Sequence, residues 1–242
     1  MKLPIGVGCA SHQPGTIDAR RGVSGGQTAA VGDPLFTFRE VGLVTDGRPR
    51  LVDVNVDVAD GAVTVIVGAS GSGKSSLLRL CNRLEAPTTG TVAFRGRDLA
   101  TVDLRAHRRC VGMLFQRPIP FAGTVAQNLR VAEPSLTDGA AAALLERVGL
   151  PAGLLDRSAD HLSGGEAQRM CLARTLATDP RVLLADEATS SLDPDATAHL
   201  ERLVVGLRDE GIPVLWVTQE PEQIDRIADH ALRVTDGRVA PA

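Results

Sequence analysis

The chain has 242 residues, 43% of them hydrophobic and 23% charged, and its formal net charge is −3. That length suffices for one well-packed domain, with or without a small inserted lobe. The small negative charge excludes a general electrostatic attraction to nucleic acid or anionic lipid, and an aromatic content of 2% without tyrosine excludes base-stacking platforms, so no nucleic acid partner is expected.

The first part of the chain differs from the rest in composition. Residues 1–33 are rich in Gly, Ser, Pro, Gln and Arg and lack hydrophobic periodicity, which predicts a disordered N-terminal extension. Its apolar stretch ending at Cys9 is too short for a signal peptide. No apolar run in the chain approaches the ~18 residues that a membrane span needs, so any membrane role is expected to require a partner.

From residue 34 to residue 242 the pattern becomes that of an ordered α/β domain. Leu35–Val41 and Leu51–Val58 are predicted to form an antiparallel β region. Val63–Val67 is a short, continuous apolar run, as expected for a buried parallel strand, and a helix is predicted from Lys74 to about Leu84. Further buried strands are predicted at Cys110–Phe115, Val182–Ala185, Pro213–Val217 and Ala231–Val234.

Two later segments have helical patterns. Residues 118–180 are rich in Ala and Leu and contain no convincing strand, which predicts a helical lobe inserted into the α/β core. A second helix is predicted over residues 194–209, beginning at Pro194. One face of that helix is apolar and consists of Leu200, Leu203, Val204 and Leu207.

The four cysteines are far apart in the chain and include no C-x-x-C pair; they are Cys9, Cys81, Cys110 and Cys171. This spacing argues against a zinc site. Three of them lie in apolar segments, and buried, reduced thiols in a reducing compartment are the simpler interpretation.

A glycine-rich run, GASGSGKS, directly follows the strand Val63–Val67 and opens the next helix. It matches G-x-x-x-x-G-K-[ST], and its position between strand and helix makes the match specific. Backbone N–H groups in such a loop point at phosphate oxygens; Lys74 can reach the β and γ phosphates of ATP, and the Ser75 hydroxyl can bind Mg²⁺. The predicted nucleotide-binding residues are Gly68, Ala69, Ser70, Gly71, Ser72, Gly73, Lys74, Ser75 and Ser76.

Two carboxylates end the apolar run of residues 181–187, RVLLADE. Asp186 is placed to hold Mg²⁺ at the end of a strand, and Glu187 is placed to orient or deprotonate the attacking water. Acidic residues often end strands, so this motif is weak alone and becomes strong beside a phosphate-binding loop.

The run LSGGEAQR, residues 162–169, resembles the signature motif of ABC ATPases, and the resemblance extends over roughly residues 34–240. Ser163, Gly164 and Gly165 would cap a helix N-terminus and bind a γ-phosphate. The resemblance implies an α/β, P-loop NTPase (RecA-like) core with an antiparallel β region and an inserted helical lobe. It also implies a homodimer in which each ATP lies between one chain's phosphate loop and the other chain's signature.

Two further segments fit the same family. Gln116, at the end of the run CVGMLF, resembles the Q-loop glutamine, which implies contact with Mg²⁺ and the attacking water and a connection to a transmembrane partner. Residues 190–193, SSLD, resemble the D-loop, which implies that Asp193 lies near the nucleotide at the dimer interface.

The chain departs from the family pattern at two places. Gln219 follows the strand after the D-loop helix, where the family usually has a histidine that contacts the γ-phosphate and orients the catalytic glutamate. Glutamine can donate a hydrogen bond but cannot carry charge, so hydrolysis is expected to be slower than in relatives. The aromatic residue that often stacks on adenine is also missing, and Val44 or Thr45 is expected in its place, which predicts weak base contact and loose nucleotide selectivity.

The resemblance implies an ATPase subunit that powers solute movement through a separate transmembrane permease, from a peripheral position on the cytoplasmic face of the cell membrane. Residues 108–116 and 121–125 are similar to small phosphate-type importer ATPases and to metal-export and aluminium-tolerance ATPases. The predicted catalytic residues are Glu187, Gln219 and Gln116, and the predicted metal ligands are Ser75, Gln116 and Asp186. Two alternatives remain open: a soluble ATPase of the iron–sulfur assembly type, and a nucleotide-binding regulator with low turnover.

Overall fold

The computed structural model describes residues 33–190 and 192–242. The predicted disordered extension, Cys9 included, therefore lies outside the described residues except for Asp33, and Ser191 of the predicted D-loop lies outside them as well. The strands are β1 (Phe36–Thr45), β2 (Arg48–Val58), β3 (Val63–Val67), β4 (Thr89–Phe94), β5 (Arg97–Asp98), β6 (Val111–Leu114), β7 (Val182–Asp186), β8 (Val214–Thr218), β9 (His230–Thr235) and β10 (Arg238–Pro241). The helices are α1 (Lys74–Cys81), α2 (Leu104–Cys110), α3 (Val125–Ala132), α4 (Asp138–Arg147), α5 (Gly164–Leu176), α6 (Pro194–Asp209) and α7 (Glu222–Ile227).

The strands form two sheets. The smaller sheet is antiparallel and has the order β2-β1-β4-β5, which confirms the predicted antiparallel region and adds two strands to it. The larger sheet has the order β10-β9-β3-β8-β7-β6, and its pairs are parallel apart from β10 with β9. The central strand β3 is buried along its whole length, as its continuous apolar sequence predicts.

Two hydrophobic clusters cover the two faces of the larger sheet, because neighbouring side chains of a strand point to opposite faces. Val65 of β3 belongs to a cluster shared with α3, α4, α5 and α6. Ile66 belongs to the other cluster, which contains Leu77 and Leu78 of α1 together with Phe36 and other residues of the antiparallel sheet. Helix α1 is thus held between the two sheets, which fixes the phosphate-loop lysine at its first turn.

Several predicted boundaries shift in the structure. Helix α1 ends at Cys81 rather than near Leu84, because Asn82 is its C-cap and Arg83 has a left-handed φ of 54°. The strand predicted at Cys110–Phe115 is shorter, because Cys110 is the last residue of α2. The predicted helix at residues 194–209 is confirmed at both ends.

The predicted helical lobe corresponds to α3, α4 and α5. Within residues 118–180 the β-structure is limited to a single isolated bridge, Thr124 with Ser158. Helices α3 and α4 each begin at a threonine cap, Thr124 and Thr137, whose hydroxyl accepts a backbone N–H three residues later. The limits of this lobe as a separate unit remain our proposal.

The candidate site residues converge because the carboxyl ends of β3, β6, β7 and β8 lie at one edge of the parallel sheet. The phosphate loop follows β3, Gln116 follows β6, Asp186 ends β7 and Gln219 follows β8. The strand order alone brings these four positions together.

Candidate functional site

The glycine-rich loop is shaped by a close approach of the backbone to strand β2. Gly73 has a φ of 114°, and a Cβ on it would lie 2.6 Å from the carbonyl oxygen of Arg50. Only glycine fits there, so the loop's curl depends on this residue. The Lys74 side chain is buried and donates from Nζ to the carbonyl oxygens of Gly68 at 2.9 Å and Ala69 at 3.0 Å. The lysine ammonium therefore lies over the mouth of the loop.

Ser75 and Asp186 form a direct contact at the start of α1. The Ser75 hydroxyl donates to Asp186 Oδ1 at 2.8 Å. Burial raises the pKa of Asp186 above its usual range, and the hydrogen bond from Ser75 and the charges of Arg79 and Lys74 oppose that shift. A carboxylate held in this way is stabilised by any cation that enters beside it.

Glu187 is held by two side-chain amides, one on each carboxylate oxygen. Gln219 Nε2 donates to Oε1 at 2.8 Å, and Gln116 Nε2 donates to Oε2 at 2.9 Å. Lys74 Nζ lies 3.7 Å from Oε1. The backbone φ of Glu187 is 47°, in the left-handed region that non-glycine residues rarely adopt, and its N–H donates to the carbonyl of Val217 at 3.0 Å. The rare backbone conformation and the two amides together fix the direction of this carboxylate.

Most of these groups line one cavity of about 350 Å³, and Asp186 lies next to it through its contact with the lining residue Ser75. Its lining includes the predicted residues Ser70, Gly71, Gly73, Lys74, Ser75, Ser76, Gln116, Glu187 and Gln219. Gly68 and Ala69 contribute carbonyls to Lys74, as described above, and Ser72 Oγ is a buried atom with no hydrogen-bond partner in the described part of the chain.

The donor set suits Mg²⁺ held jointly with phosphate. Across residues 33–190 and 192–242 no group of three or more His, Cys, Asp and Glu side chains could hold a metal by itself. Mg²⁺ commonly binds through one or two protein oxygens plus substrate phosphates, and Ser75 and Asp186 supply two such oxygens. Gln116 contacts Glu187 rather than Asp186, so its predicted role as a metal ligand remains a prediction.

The signature residues form the N-terminus of α5. Ser163 is the N-cap: its Oγ accepts from Glu166 N at 3.3 Å, and Glu166 Oε2 accepts from Ser163 N at 2.8 Å. That backbone hydrogen bond lowers the pKa of Glu166. The free N–H groups of Gly164 and Gly165 at this helix end suit an anion. Among the described residues, the lining of the phosphate-loop cavity does not include Ser163, Gly164 or Gly165.

Asp193 is the N-cap of α6, where its Oδ1 accepts from Ala196 N at 2.8 Å. It too is absent from the cavity lining among the described residues. Its predicted nucleotide contact therefore remains a prediction that requires a second chain.

The cavity lining also contains Thr45, one of the two positions expected in place of the missing aromatic, and three residues that the motifs did not identify: Arg50, Arg79 and Glu85. Arg79 Nη1 donates to Glu85 Oε1 at 3.3 Å. Arg79 follows Ser75 by four residues in one helix, a spacing that places both on one face and could have identified it. Arg50 carries no such signal, because it lies 23 residues before Gly73 in the chain and only the fold brings its carbonyl oxygen to the loop.

A further contact joins the signature helix to the Q-loop segment. Gln168, fully buried in α5, donates from Nε2 to the carbonyl of Phe115 at 2.9 Å. Phe115 precedes Gln116, whose amide contacts Glu187. A movement of α5 would therefore reach the segment that carries Gln116.

The chain matches a protein-family model described as ABC transporter over residues 51–190. Protein STAR1 of Oryza sativa subsp. japonica is 42% identical over 225 residues, covering 90% of this chain and 65% of that protein. ABC transporter I family member 17 of Arabidopsis thaliana is 43% identical over 213 residues, covering 86% of this chain and 81% of that protein. Methionine import ATP-binding protein MetN of Caulobacter vibrioides is 44% identical over 220 residues, covering 85% of this chain and 65% of that protein. The chain thus spans just under two thirds of the length of two of these relatives.

Two solved structures share the fold. The structure of cbiO1 from Clostridium perfringens, part of the ABC transporter complex cbiONQ, superposes with a TM-score of 0.75 at 27% identity, covering 86% of this chain and 87% of that one. A bacterial Atm1-family ABC exporter with ATP bound gives a TM-score of 0.76 at 29% identity, covering 88% of this chain and 39% of that one. These likenesses confirm the predicted fold class.

Proposed function

Because the chain belongs to the ABC transporter family, whose model covers residues 51–190, we propose that it binds and hydrolyses ATP and thereby powers solute movement through a separate transmembrane subunit. The observation that carries this proposal is the position of Glu187. Its carboxylate accepts a hydrogen bond from an amide on each oxygen and lies 3.7 Å from the phosphate-loop lysine. A carboxylate fixed in this way can accept a proton from water beside the γ-phosphate.

The motif side chains in and beside the cavity each have a part in this proposal. Lys74 and the backbone N–H groups of the loop bind and orient the phosphates. Glu187 receives the proton of the attacking water, while Gln116 and Gln219 keep its two oxygens directed into the cavity. Ser75 and Asp186 would hold Mg²⁺, which when bound offsets the negative charge of the phosphate oxygens.

The proposed assembly is a homodimer with two shared sites. It is supported by the separation of the two anion-binding helix ends within one chain: α1 opens into the cavity, and the residues of the described chain that line it exclude Ser163 at the start of α5. A second copy would bring its own Ser163 and Asp193 to the open side of the phosphate loop.

A groove beside Gln116 supports the proposed permease partner. It has a volume of about 370 Å³ and exposes large apolar side chains on both of its walls: Phe115, Ile119, Phe121 and Val131. Phe115 and Arg117 flank Gln116, so a partner seated there would press on the segment that orients Glu187. No helix in residues 33–190 or 192–242 is long and apolar enough to span a bilayer. Docking on such a permease would place the chain at the cytoplasmic face of the cell membrane.

The test is steady-state ATP hydrolysis with Mg²⁺ by the wild type and the Glu187→Gln variant. The variant keeps the shape and the oxygen that accepts from Gln219 but loses the base, so turnover is expected to fall about 100-fold or more. Stable dimers should accumulate in the variant when ATP is added. Lys74→Ala, which is expected to weaken phosphate binding, is the control that should show no turnover and no increase in dimers when ATP is added.

Three outcomes separate the alternatives. Equal turnover in the wild type and Glu187→Gln would contradict the assignment of the base. ATP binding without turnover in the wild type would favour a nucleotide-binding regulator. Turnover with no ATP-sensitive retention by membranes of the source organism would favour a soluble ATPase of the iron–sulfur assembly type.

A further inference from the structure

A buried polar cluster lies behind the candidate site and is not used by any motif or by the proposed reaction. Its centre is Gln223 of α7, which is fully buried. Gln223 Oε1 accepts from Trp216 Nε1 at 2.9 Å, and Gln223 Nε2 donates to Thr189 Oγ1 at 3.2 Å and to Glu201 Oε1 at 2.9 Å. One side chain thus joins β8, the segment after β7 and helix α6.

Within the cluster the charge of Glu201 is neutralised by Arg226, and the Gln223 amide makes hydrogen bonds through both its oxygen and its nitrogen. Arg226 donates to Glu201 through Nε at 2.9 Å and through Nη2 at 2.8 Å. Only an amide offers one acceptor and two donors in one plane, which is what the indole N–H on one side and two oxygens on the other require. A buried network with every member satisfied is rigid, and removal of one member leaves the others unpaired.

The two segments that the cluster joins are those that carry Glu187 and Gln219. Thr189 lies two residues after Glu187, and Gln223 lies four residues after Gln219. On the cavity side, Gln219 Nε2 donates to Glu187 Oε1 at 2.8 Å. The side chains thus link these two segments in the cavity through Gln219 and behind it through Gln223, in addition to the backbone hydrogen bond from Glu187 to Val217.

We propose that Gln223 is a positioning residue for ATP hydrolysis, which acts by holding the Gln219 segment at a fixed distance from the Glu187 segment. The proposal rests on the hydrolysis proposed above. It predicts a specific division of effects, because the phosphate loop on the other side of the cavity takes no part in the cluster. Loss of Gln223 should slow the chemical step and leave ATP binding nearly unchanged.

The first test is the steady-state kinetics of Gln223→Leu. We expect kcat to fall about ten-fold or more, since a small misplacement of a reacting group has effects of this size, while KM for ATP stays within about two-fold. The matched control is Ile227→Ala on the same helix, a buried residue outside the cluster, which should lower the thermal midpoint without lowering kcat. A KM rise at constant kcat in Gln223→Leu, or an equal kcat loss in Ile227→Ala, would overturn the proposal.

A double-mutant cycle shows whether Gln223 acts through Gln219. In a Gln219→Ala background the contact to be positioned is already gone, so Gln223→Leu should have little further effect on kcat. Additive losses would mean that Gln223 contributes only to general stability, and the positioning role would be wrong.

The Gln223→Glu variant adds a pH signature. The charged groups around this position are Glu201 of α6 and Arg226 of α7, with Glu220 3.8 Å from Arg226 Nη2. Two carboxyl groups in contact cannot both ionise without a cost, and only the protonated form restores a donor between them. The kcat of Gln223→Glu relative to the wild type should therefore rise as the pH falls, while the ratio for Gln223→Leu stays level. A level ratio for both variants contradicts the proposal.

Amide hydrogen exchange tests, without any ATP turnover, whether Gln223 holds the Glu187 and Gln219 segments together. In Gln223→Leu, peptides covering residues 217–224 and 187–193 should both exchange faster than in the wild type and in Ile227→Ala. Faster exchange confined to α7, with the Glu187 segment unchanged, would overturn the inference. A wild type that binds ATP without hydrolysing it would refute the proposed function instead. The exchange result would still decide whether Gln223 holds the two segments together.

Discussion

At the scale of single residues, Gln219 is the departure from the family pattern with the most direct consequence. Its amide donates to Glu187 Oε1 at 2.8 Å, so it occupies the orienting position that the resemblance assigns to histidine. A neutral donor makes a weaker hydrogen bond to a carboxylate than a charged donor does, by ~1 kcal/mol. The chain therefore keeps the hydrogen bond to Glu187, but the bond is weaker than one from a charged histidine.

Replacement of Gln219 by histidine should raise turnover by about five-fold, which corresponds to that difference in hydrogen-bond strength. The measurement is kcat for ATP hydrolysis at saturating Mg²⁺–ATP. Gln219→Ala is the companion variant and should lie below the wild type, because Glu187 then keeps only the amide of Gln116. If histidine gives no gain, the prediction that Gln219 slows hydrolysis is wrong.

Thr45 is the second informative residue. It lines the nucleotide cavity, whereas Val44 is 49% exposed and is not among the lining residues in the described structure. Of the two positions predicted to replace the missing aromatic, the structure thus favours Thr45. A threonine offers no ring to stack on a base.

Thr45→Tyr should tighten ATP binding by about ten-fold, since stacking on an aromatic ring contributes ~1–3 kcal/mol per base. Equilibrium titration with ATP and GTP measures both affinity and selectivity. Val44→Tyr, one residue away and outside the cavity, is the control and should leave both affinities unchanged. A wild type that already prefers ATP strongly over GTP would contradict the predicted loose selectivity.

The sequence predicted the residues of the cavity that lie in contiguous motifs, because each motif is local and follows a strand. Lys74, Ser75 and Glu187 are of this kind, and Asp186 beside the cavity was predicted in the same way. Gln223 could not be found in this way, since its partner Glu201 is 22 residues away on another helix and nothing local marks either as a pair. Its burial follows from the packing of α7 on β3 and α6, which a single sequence does not reveal.

At the scale of elements, strands with continuous apolar sequences were predicted well and half-exposed elements were not. Strand β3 was predicted with both ends correct, and β7 and β8 with shifts of one residue at their ends. Strand β4 escaped prediction because only Val92 of its six residues is buried, so it shows no alternation. Helix α2 has a single buried residue, His107, and its Asp103 cap is its clearest local signal.

The buried residue His107 links α2 to the end of α1. His107 Nε2 lies 2.8 Å from the carbonyl oxygen of Cys81, and its ring packs edge-on against Phe94 with centroids 5.4 Å apart. Burial lowers the pKa of His107 below its usual value, and the nearby charges of Arg83 and Arg108 lower it further, while the contact with Cys81 opposes the shift. The folded chain therefore favours the neutral ring.

A lowered pKa in the folded state means that the unfolded chain binds more protons as the pH falls below about 6.5. The stability that neutral His107 contributes is thus present at pH 8 and is lost under acidic conditions. His107→Leu should cost about 1–3 kcal/mol at pH 8, because the Cys81 carbonyl loses its partner, and clearly less at pH 5. Denaturant unfolding at both pH values measures this. Substitution of His230, which is exposed, is the control and should change the free energy of unfolding equally at both pH values. A destabilisation by His107→Leu that does not vary with pH would refute the proposed link between the pKa of His107 and stability.

At the scale of the whole molecule, the two helix ends that suit an anion lie in different surroundings, and in the proposed dimer each would form half of a site. The phosphate loop opens α1 between the two sheets, while the signature opens α5 among the helices of the predicted lobe. A buried amide, Gln168, links that helix to the backbone at Phe115. Closure of a second chain on the phosphate loop would therefore shift the Gln116 segment of both chains through this hydrogen bond.

A mixing experiment tests this arrangement directly. Lys74→Ala disables the phosphate loop and Ser163→Arg disables the signature, so each homodimer should be inactive. In a mixed dimer, one site receives both defects and the other pairs an intact phosphate loop with an intact signature. Random mixing of equal amounts should restore about a quarter of wild-type turnover, since half of the dimers are mixed and each has one working site of two. Mixing Lys74→Ala with Ser75→Ala, two defects of the same half-site, should restore none. The first mixture could also stay inactive while both variants remain folded and dimeric. In that case either the two sites must act together or each site lies within one chain. Mixing wild type with a chain that carries both defects separates these cases, because mixed dimers are then inactive if the sites must act together but keep the wild-type chain's activity if each site lies within one chain.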